Sequence, residues 1–125
     1  MSTPKLTVFF DGGCPLCSRE IDHYRKLEGA DRLVWLDITD PAIDLQPYGI
    51  DRRSALKSFH VMDDQGQFHL GADGFLALWD ALPRYRGLAW FCHLMRLPPL
   101  MRFVYRHFAA RHFRRRCQDG ACALE

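Results

Sequence analysis

The chain has 125 residues, 48% hydrophobic and 26% charged, enough apolar material for one cored domain and too little chain for two. The formal net charge of +2 excludes a uniformly polybasic or polyacidic protein, yet nine arginines and no acid fall between Arg84 and Arg116. The remainder, eight basic against fifteen acidic groups, stands at −7. A single domain over 1–125 is expected, with 84–125 a basic helical extension that docks near the acidic remainder and keeps its arginines in water. A weak contact with an anionic surface is the other use of such a block, and no sequence-specific nucleic-acid motif accompanies it.

No apolar run approaches the roughly 20 residues of a spanning helix, because Arg84, Arg86, Arg96 and Arg102 interrupt the most hydrophobic part. Leu6–Phe10 is too short for a secretory core, so a cytoplasmic protein is expected. In that compartment five cysteines point to catalysis or metal rather than to a disulfide framework.

Leu6 to Phe10, β-branched and aromatic between Pro4 and Gly12-Gly13, reads as a buried central strand. Pro15 suits the first helical position, which makes Cys14 the N-cap and puts Cys17 in the first turn. Leu16, Ile21, Tyr24 and Leu27 carry the helix toward Gly29. Arg32 to Ile38 is a second strand, parallel to the first given the helical crossover. Signals are weak from Thr39 to Arg53, where Pro41, Pro47 and Gly49 suggest short helical or loop pieces.

Ser58–Met62 and Gln67–Leu70 flank Asp63-Asp64-Gln65-Gly66 as a hairpin. Asp73 then caps a helix with the apolar stripe Phe75, Leu76, Leu78, Trp79 and Leu82, ended by Pro83. Helical stretches around Gly87–Leu97 and Pro99–Arg114 follow, separated at Pro98-Pro99. The order βαβ, hairpin, helix is that of an α/β thioredoxin-like sheet with additional C-terminal helices. A CxxC beside βαβ is the context for redox chemistry.

The thiolate is the attacking species in that chemistry. An N-cap sulfur meets unpaired N–H groups and the positive end of the helix dipole. Cys14 is therefore expected to be the accessible, attacking thiol and Cys17, one turn in and more shielded, the resolving one. Asp11 either satisfies N–H groups of the turn or takes the proton of Cys17.

The stretch Asp11-Gly12-Gly13-Cys14-Pro15-Leu16-Cys17 after a buried strand resembles the signature of the DCC family of predicted thiol-disulfide oxidoreductases. Residues 62–83, the helix bearing "VYRHFAARHF" and a cysteine near the C-terminus, Cys122, are similar to further features of that family. The resemblance implies a thioredoxin-like fold and a dithiol-disulfide activity on a protein or small-molecule thiol or disulfide, without an organic cofactor. Cys14, Cys17 and Asp11 take the family's functional positions. One departure concerns thioredoxins proper, where a proline before the hairpin strand faces the CxxC. Here none lies between Pro47 and Pro83.

The competing reading is a zinc or iron-sulfur module built from Cys14, Cys17, Cys117 and Cys122. Zinc ribbons keep their two pairs close in sequence, and these pairs are far apart. Cys117 and Cys122 follow three arginines in a tail able to serve as an auxiliary dithiol. Cys92 reads as core, as do Trp35, Trp79 and Trp90. The six histidines show no metal spacing, and His60 and His69 are expected to face solvent or to be hydrogen-bonded.

Overall fold

The computed structural model of the chain describes residues 6–118. Four strands, β1 (Thr7–Phe10), β2 (Val34–Asp37), β3 (His60–Met62) and β4 (Phe68–Leu70), form one sheet in the order β2-β1-β3-β4. β1 runs parallel to β2, with Val8 opposite Trp35, and antiparallel to β3, with Val8 opposite Val61. The helices are α1 (Pro15–Arg25), α2 (Arg52–Lys57), α3 (Ala72–Ala81), α4 (Pro83–Leu94) and α5 (Pro98–Gln118). This is the expected α/β thioredoxin-like arrangement, a mixed sheet with helices on both faces.

Alternation along β1 divides the core. Val8 belongs to a cluster with Ile21 and Tyr24 of α1, Val61 of β3 and Leu78 of α3. Phe9 belongs to the other, with Ile38, Leu45, Ala55 and Leu56. Val8 and Val61 have no exposed surface and Phe9 has 1%, so the start of α1 is carried by the best-packed strand of the fold.

The six-residue α2 closes the region where short helical pieces are expected, begun by Asp51, whose carboxylate accepts the Ser54 N–H. Three local expectations differ from what is observed. α4 starts at Pro83, which also suits a first helical position, rather than around Gly87. α3 begins at Ala72 after Gly71, whose φ of 61° suits glycine. Asp73 thus falls inside the first turn rather than at the cap, and takes a bidentate ion pair from Arg102 of α5. Pro98 and Pro99 open α5 instead of separating two helices, since the first helical turn needs no N–H from them. The break falls at Met95–Leu97, with Arg96 at a φ of 56°.

α5 returns across the body of the protein. Its half-buried positions Met101, Tyr105, Ala109, His112, Phe113 and Arg116 recur at helical spacing on one side. That side meets α2 and α3. Tyr105 Oη accepts the Phe59 N–H at 2.7 Å, and a Cβ at Gly71 would run into its ring. Arg102 and Arg116 tie α5 to the acidic side chains Asp73 and Asp11.

Candidate active site

Cys14 is the N-cap of α1 and Pro15 its first residue, as the sequence indicates. Cys14 Sγ accepts the Cys17 N–H at 3.4 Å. The Cys14 carbonyl accepts from Ser18 N–H at 2.9 Å, and Ser18 Oγ donates to the Gly12 carbonyl at 2.8 Å, tying the turn to the helix. Two carboxylates hold the glycine pair from outside. Asp37, the last residue of β2, accepts the Gly12 N–H at 3.0 Å, and Asp11 accepts the Gly13 N–H at 3.0 Å. An added Cβ would displace the Asp37 carboxylate at Gly12 and the Arg116 guanidinium at Gly13.

The two sulfurs are both free thiols, 3.3 Å apart. Their exposure reverses the sequence expectation. Cys14 is buried at 4%, whereas Cys17 is half-buried and lines a cavity. The end of α5 lies beside the Gly12-Gly13 turn that precedes Cys14: Arg116 Nε donates to Asp11 Oδ2 at 2.7 Å and Nη2 to Oδ1 at 3.1 Å. One turn earlier on the same side, His112 brings Nε2 to 3.7 Å from Cys17 Sγ.

Burial pushes the Cys17 thiol pKa far up, helped by its hydrogen bond with Cys14 and by the negative charge available at Cys14, Asp11 and Glu20. Burial also lowers the His112 imidazole; Asp11 opposes that shift, and Arg116 and Arg115 reinforce it. Near neutral pH the contact therefore joins a protonated thiol to a neutral imidazole.

His112 is the residue beside the cysteines that sequence reasoning missed. It stands 95 positions from Cys17, and no spacing signal joins them. The useful hint was its phase on α5, one turn before Arg116. Sγ of Cys14, Sγ of Cys17 and a ring nitrogen of His112 all lie within 4.8 Å of one another, a set able to hold a metal ion.

Cys117, which the four-cysteine metal site would need as a thiolate, is disulfide-bonded. Cys122, and with it the proposed auxiliary pair, lies outside the described residues. Cys92 is buried as expected, and His60 and His69 are hydrogen-bonded to Ser58 and Asp63. Trp35 and Trp79 pack against the core. Trp90 does not, being 64% exposed.

The cavity beside Cys17 has a volume of about 620 Å³ and a mainly apolar wall. α1 contributes Leu16 and Ile21, α3 Phe75 and Trp79, and α5 Val104 and Phe108. Cys17, His112 and Asp11 supply polar groups. No helix among the described residues is long and apolar enough to cross a membrane.

A parallel βα unit that presents a dithiol at a helix start, inside a thioredoxin-like sheet, defines the class of thiol-disulfide exchange folds. The chain belongs to the DCC1-like thiol-disulfide oxidoreductase family, whose model matches residues 8–118. It is also similar to an uncharacterized chloroplastic protein of Arabidopsis thaliana, 25% identical over 100 residues that make up 77% of this chain and 44% of the relative. The chain thus spans less than half the length of that relative. No solved structure matches it.

Proposed function

We propose that the protein exchanges thiols and disulfides with a protein or small-molecule partner, Cys14 attacking and Cys17 resolving. The observation that carries this reading is the pair of free sulfurs 3.3 Å apart at the start of α1 with an imidazole against the second. Electrostatics and exposure favour different sulfurs as the nucleophile. We assign Cys14 because the attacking species is an anion. Its sulfur accepts an N–H at the positive end of α1, and what covers it is an ion pair at the end of a helix, which can open.

In the reducing direction, Cys14 thiolate attacks a disulfide RSSR′, forming Cys14–S–S–R and releasing R′S⁻. Cys17 passes its proton to His112 and attacks Cys14 Sγ, forming the Cys14–Cys17 disulfide and releasing RS⁻. Two protons complete the product thiols, and the enzyme dithiol has supplied the electron pair. The sulfurs close from 3.3 Å to the roughly 2.05 Å of a disulfide. The reverse sequence oxidises a dithiol. Asp11, already bound to Arg116 and the Gly13 N–H, acts as a positioning residue, and His112 is the proton acceptor. Such a cycle suits a reducing compartment such as the cytoplasm.

Cys17→Ser tests the assignment. With oxidised glutathione as the small-molecule disulfide, this variant should accumulate a stable adduct on Cys14 that the unsubstituted protein clears. Alkylation of the reduced protein below pH 8 should modify Cys14 first. An adduct on Cys17 in a Cys14→Ser variant, with none on Cys14 in Cys17→Ser, would reverse the roles.

The Cys14–Cys17–His112 cluster supports a second reading, a metal-binding protein in which the same three side chains supply ligands. Metal analysis of freshly purified, reduced protein separates the two readings. Stoichiometric zinc or iron with no reversible disulfide favours the metal centre.

A further inference from the structure

Large apolar side chains are left open on one part of this molecule. Nine of the eleven that are exposed among the described residues fall between Leu88 and Phe108, including Trp90 at 64%, Leu94 at 59%, Leu100 at 59% and Phe103 at 57%. Helical spacing explains their placement. On α4, Ala89 and Cys92 are buried, which turns Trp90 and Leu94, and likewise Phe91 and Met95, outward as i, i+4 pairs. On α5, the stripe through Tyr105 and Ala109 is spent on the body, which leaves Phe103 outward and Leu100 and Val104 exposed beside the cavity next to Cys17. Farther along, the outward positions become Arg111, Arg114 and Arg115, all exposed. Arg96 occupies the turn between the helices, and the whole stretch from Arg84 to Arg116 holds no acid.

Chemistry narrows the occupant. Tryptophan, phenylalanine and leucine bordered by arginine are the composition of helices that lie in the headgroup region of a bilayer. A second copy of the same face would set arginine against arginine, because a twofold contact pairs a patch with itself. No nucleic-acid motif accompanies these arginines. Leu100, Val104 and Phe108 also line the cavity beside Cys17, so the apolar surface is continuous with the proposed site.

We propose that α4 and α5 dock on an anionic lipid bilayer, with Trp90, Leu94 and Leu100 at the acyl boundary and the arginines among the headgroups, placing the Cys17 cavity at the membrane surface. This goes beyond the thiol-exchange reading and does not depend on it, since binding is measured without turnover.

The test is co-sedimentation of the full chain with phosphatidylcholine vesicles, with and without about one phosphatidylglycerol in three lipids. Binding to the anionic vesicles, a blue shift of tryptophan emission and loss of binding on added salt are expected. Trp90→Ser combined with Leu94→Ser should abolish binding without altering the circular dichroism spectrum or thiol exchange, because both residues are solvent-exposed. Arg96→Gln and Arg106→Gln should each weaken partition about 5-fold. Absence of binding at low salt, equal binding to neutral vesicles, or binding that survives the double substitution overturns the proposal. So does self-association in sedimentation velocity that the double substitution removes, which would assign the face to a second copy.

Discussion

Arg116 grips Asp11 through two hydrogen bonds, at 2.7 and 3.1 Å, across 105 positions of sequence. The two side chains are only 12% and 9% exposed, so the pair is largely withdrawn from water, and it seats the end of α5 on the turn that precedes Cys14. Removing one member of a buried pair strands the other, at a cost of about 3 kcal/mol. Arg116→Met should lower the unfolding free energy by about that amount in urea titration, and should also speed alkylation of Cys14. Asp11→Asn combined with Arg116→Met should be less destabilised than the single change. Unaltered alkylation with full stability would show that the pair holds nothing in place.

A second expectation concerns proton removal from Cys17. His112→Ala should prolong the mixed disulfide on Cys14 roughly 100-fold, the lower range of general-base catalysis, while leaving the first attack little changed. Rapid-quench trapping of the glutathione adduct measures both steps. Because burial lowers the His112 imidazole, the acid limb of the resolving rate should fall below the ordinary histidine value of about 6.5, and it should be missing in the alanine variant. Loss of both steps in equal proportion would return His112 to a packing role.

The same depressed imidazole, together with His60, bears on stability. Burial lowers the His60 imidazole as well, against a hydrogen bond to the Ser58 carbonyl that raises it. With folded values below the unfolded value of about 6.5, the unfolded chain binds more protons in the window between them, so stability increases with pH there. It should be complete above pH 6.5 and decline as pH falls through that window. Urea midpoints at pH 7.5 and 5.5 measure the decline, and His60→Asn should reduce it. The lowered carboxylates Asp51 and Asp63 act in a separate window, below their ordinary value of about 3.9.

Metal and disulfide exclude each other at this site, because Cys14 and Cys17 cannot be ligating thiolates and a disulfide at once. Any zinc taken up by the reduced protein should be released stoichiometrically on oxidation and weakened by His112→Ala, as followed by a chromogenic chelator. Zinc affinity that is indifferent to oxidation would place the metal elsewhere.

The sequence was most informative where structure is decided locally. The strand at Thr7–Phe10, the glycine turn, Cys14 as cap and Pro15 as first helical residue all follow from neighbouring side chains and appear as read. The hairpin at β3–β4 follows for the same reason. Reasoning failed where a distant element decides. Asp73 looks like a cap until Gly71 starts the helix earlier and Arg102 claims the carboxylate. The end of α5 lies beside the turn before Cys14, and it also brings His112 to Cys17. Apolar content suggested that Trp90 is core, but Ala89 and Cys92 face inward on that helix instead.

The glycine turn places a demand on any relative that builds this site in the same way. Gly12 is pinned by the carboxylate at the end of the second strand and Gly13 lies beneath the α5 guanidinium, so the two glycines, Asp37 and Arg116 form one steric unit dispersed through the chain. A chain that keeps the cysteines but carries a side chain at the first glycine must relinquish the Asp37 contact, and one with a side chain at the second must seat its last helix differently. Such sequences should be sorted by whether all four positions change together, a criterion that separates chains with a covered dithiol from those with an open one, although CxxC reads the same in both.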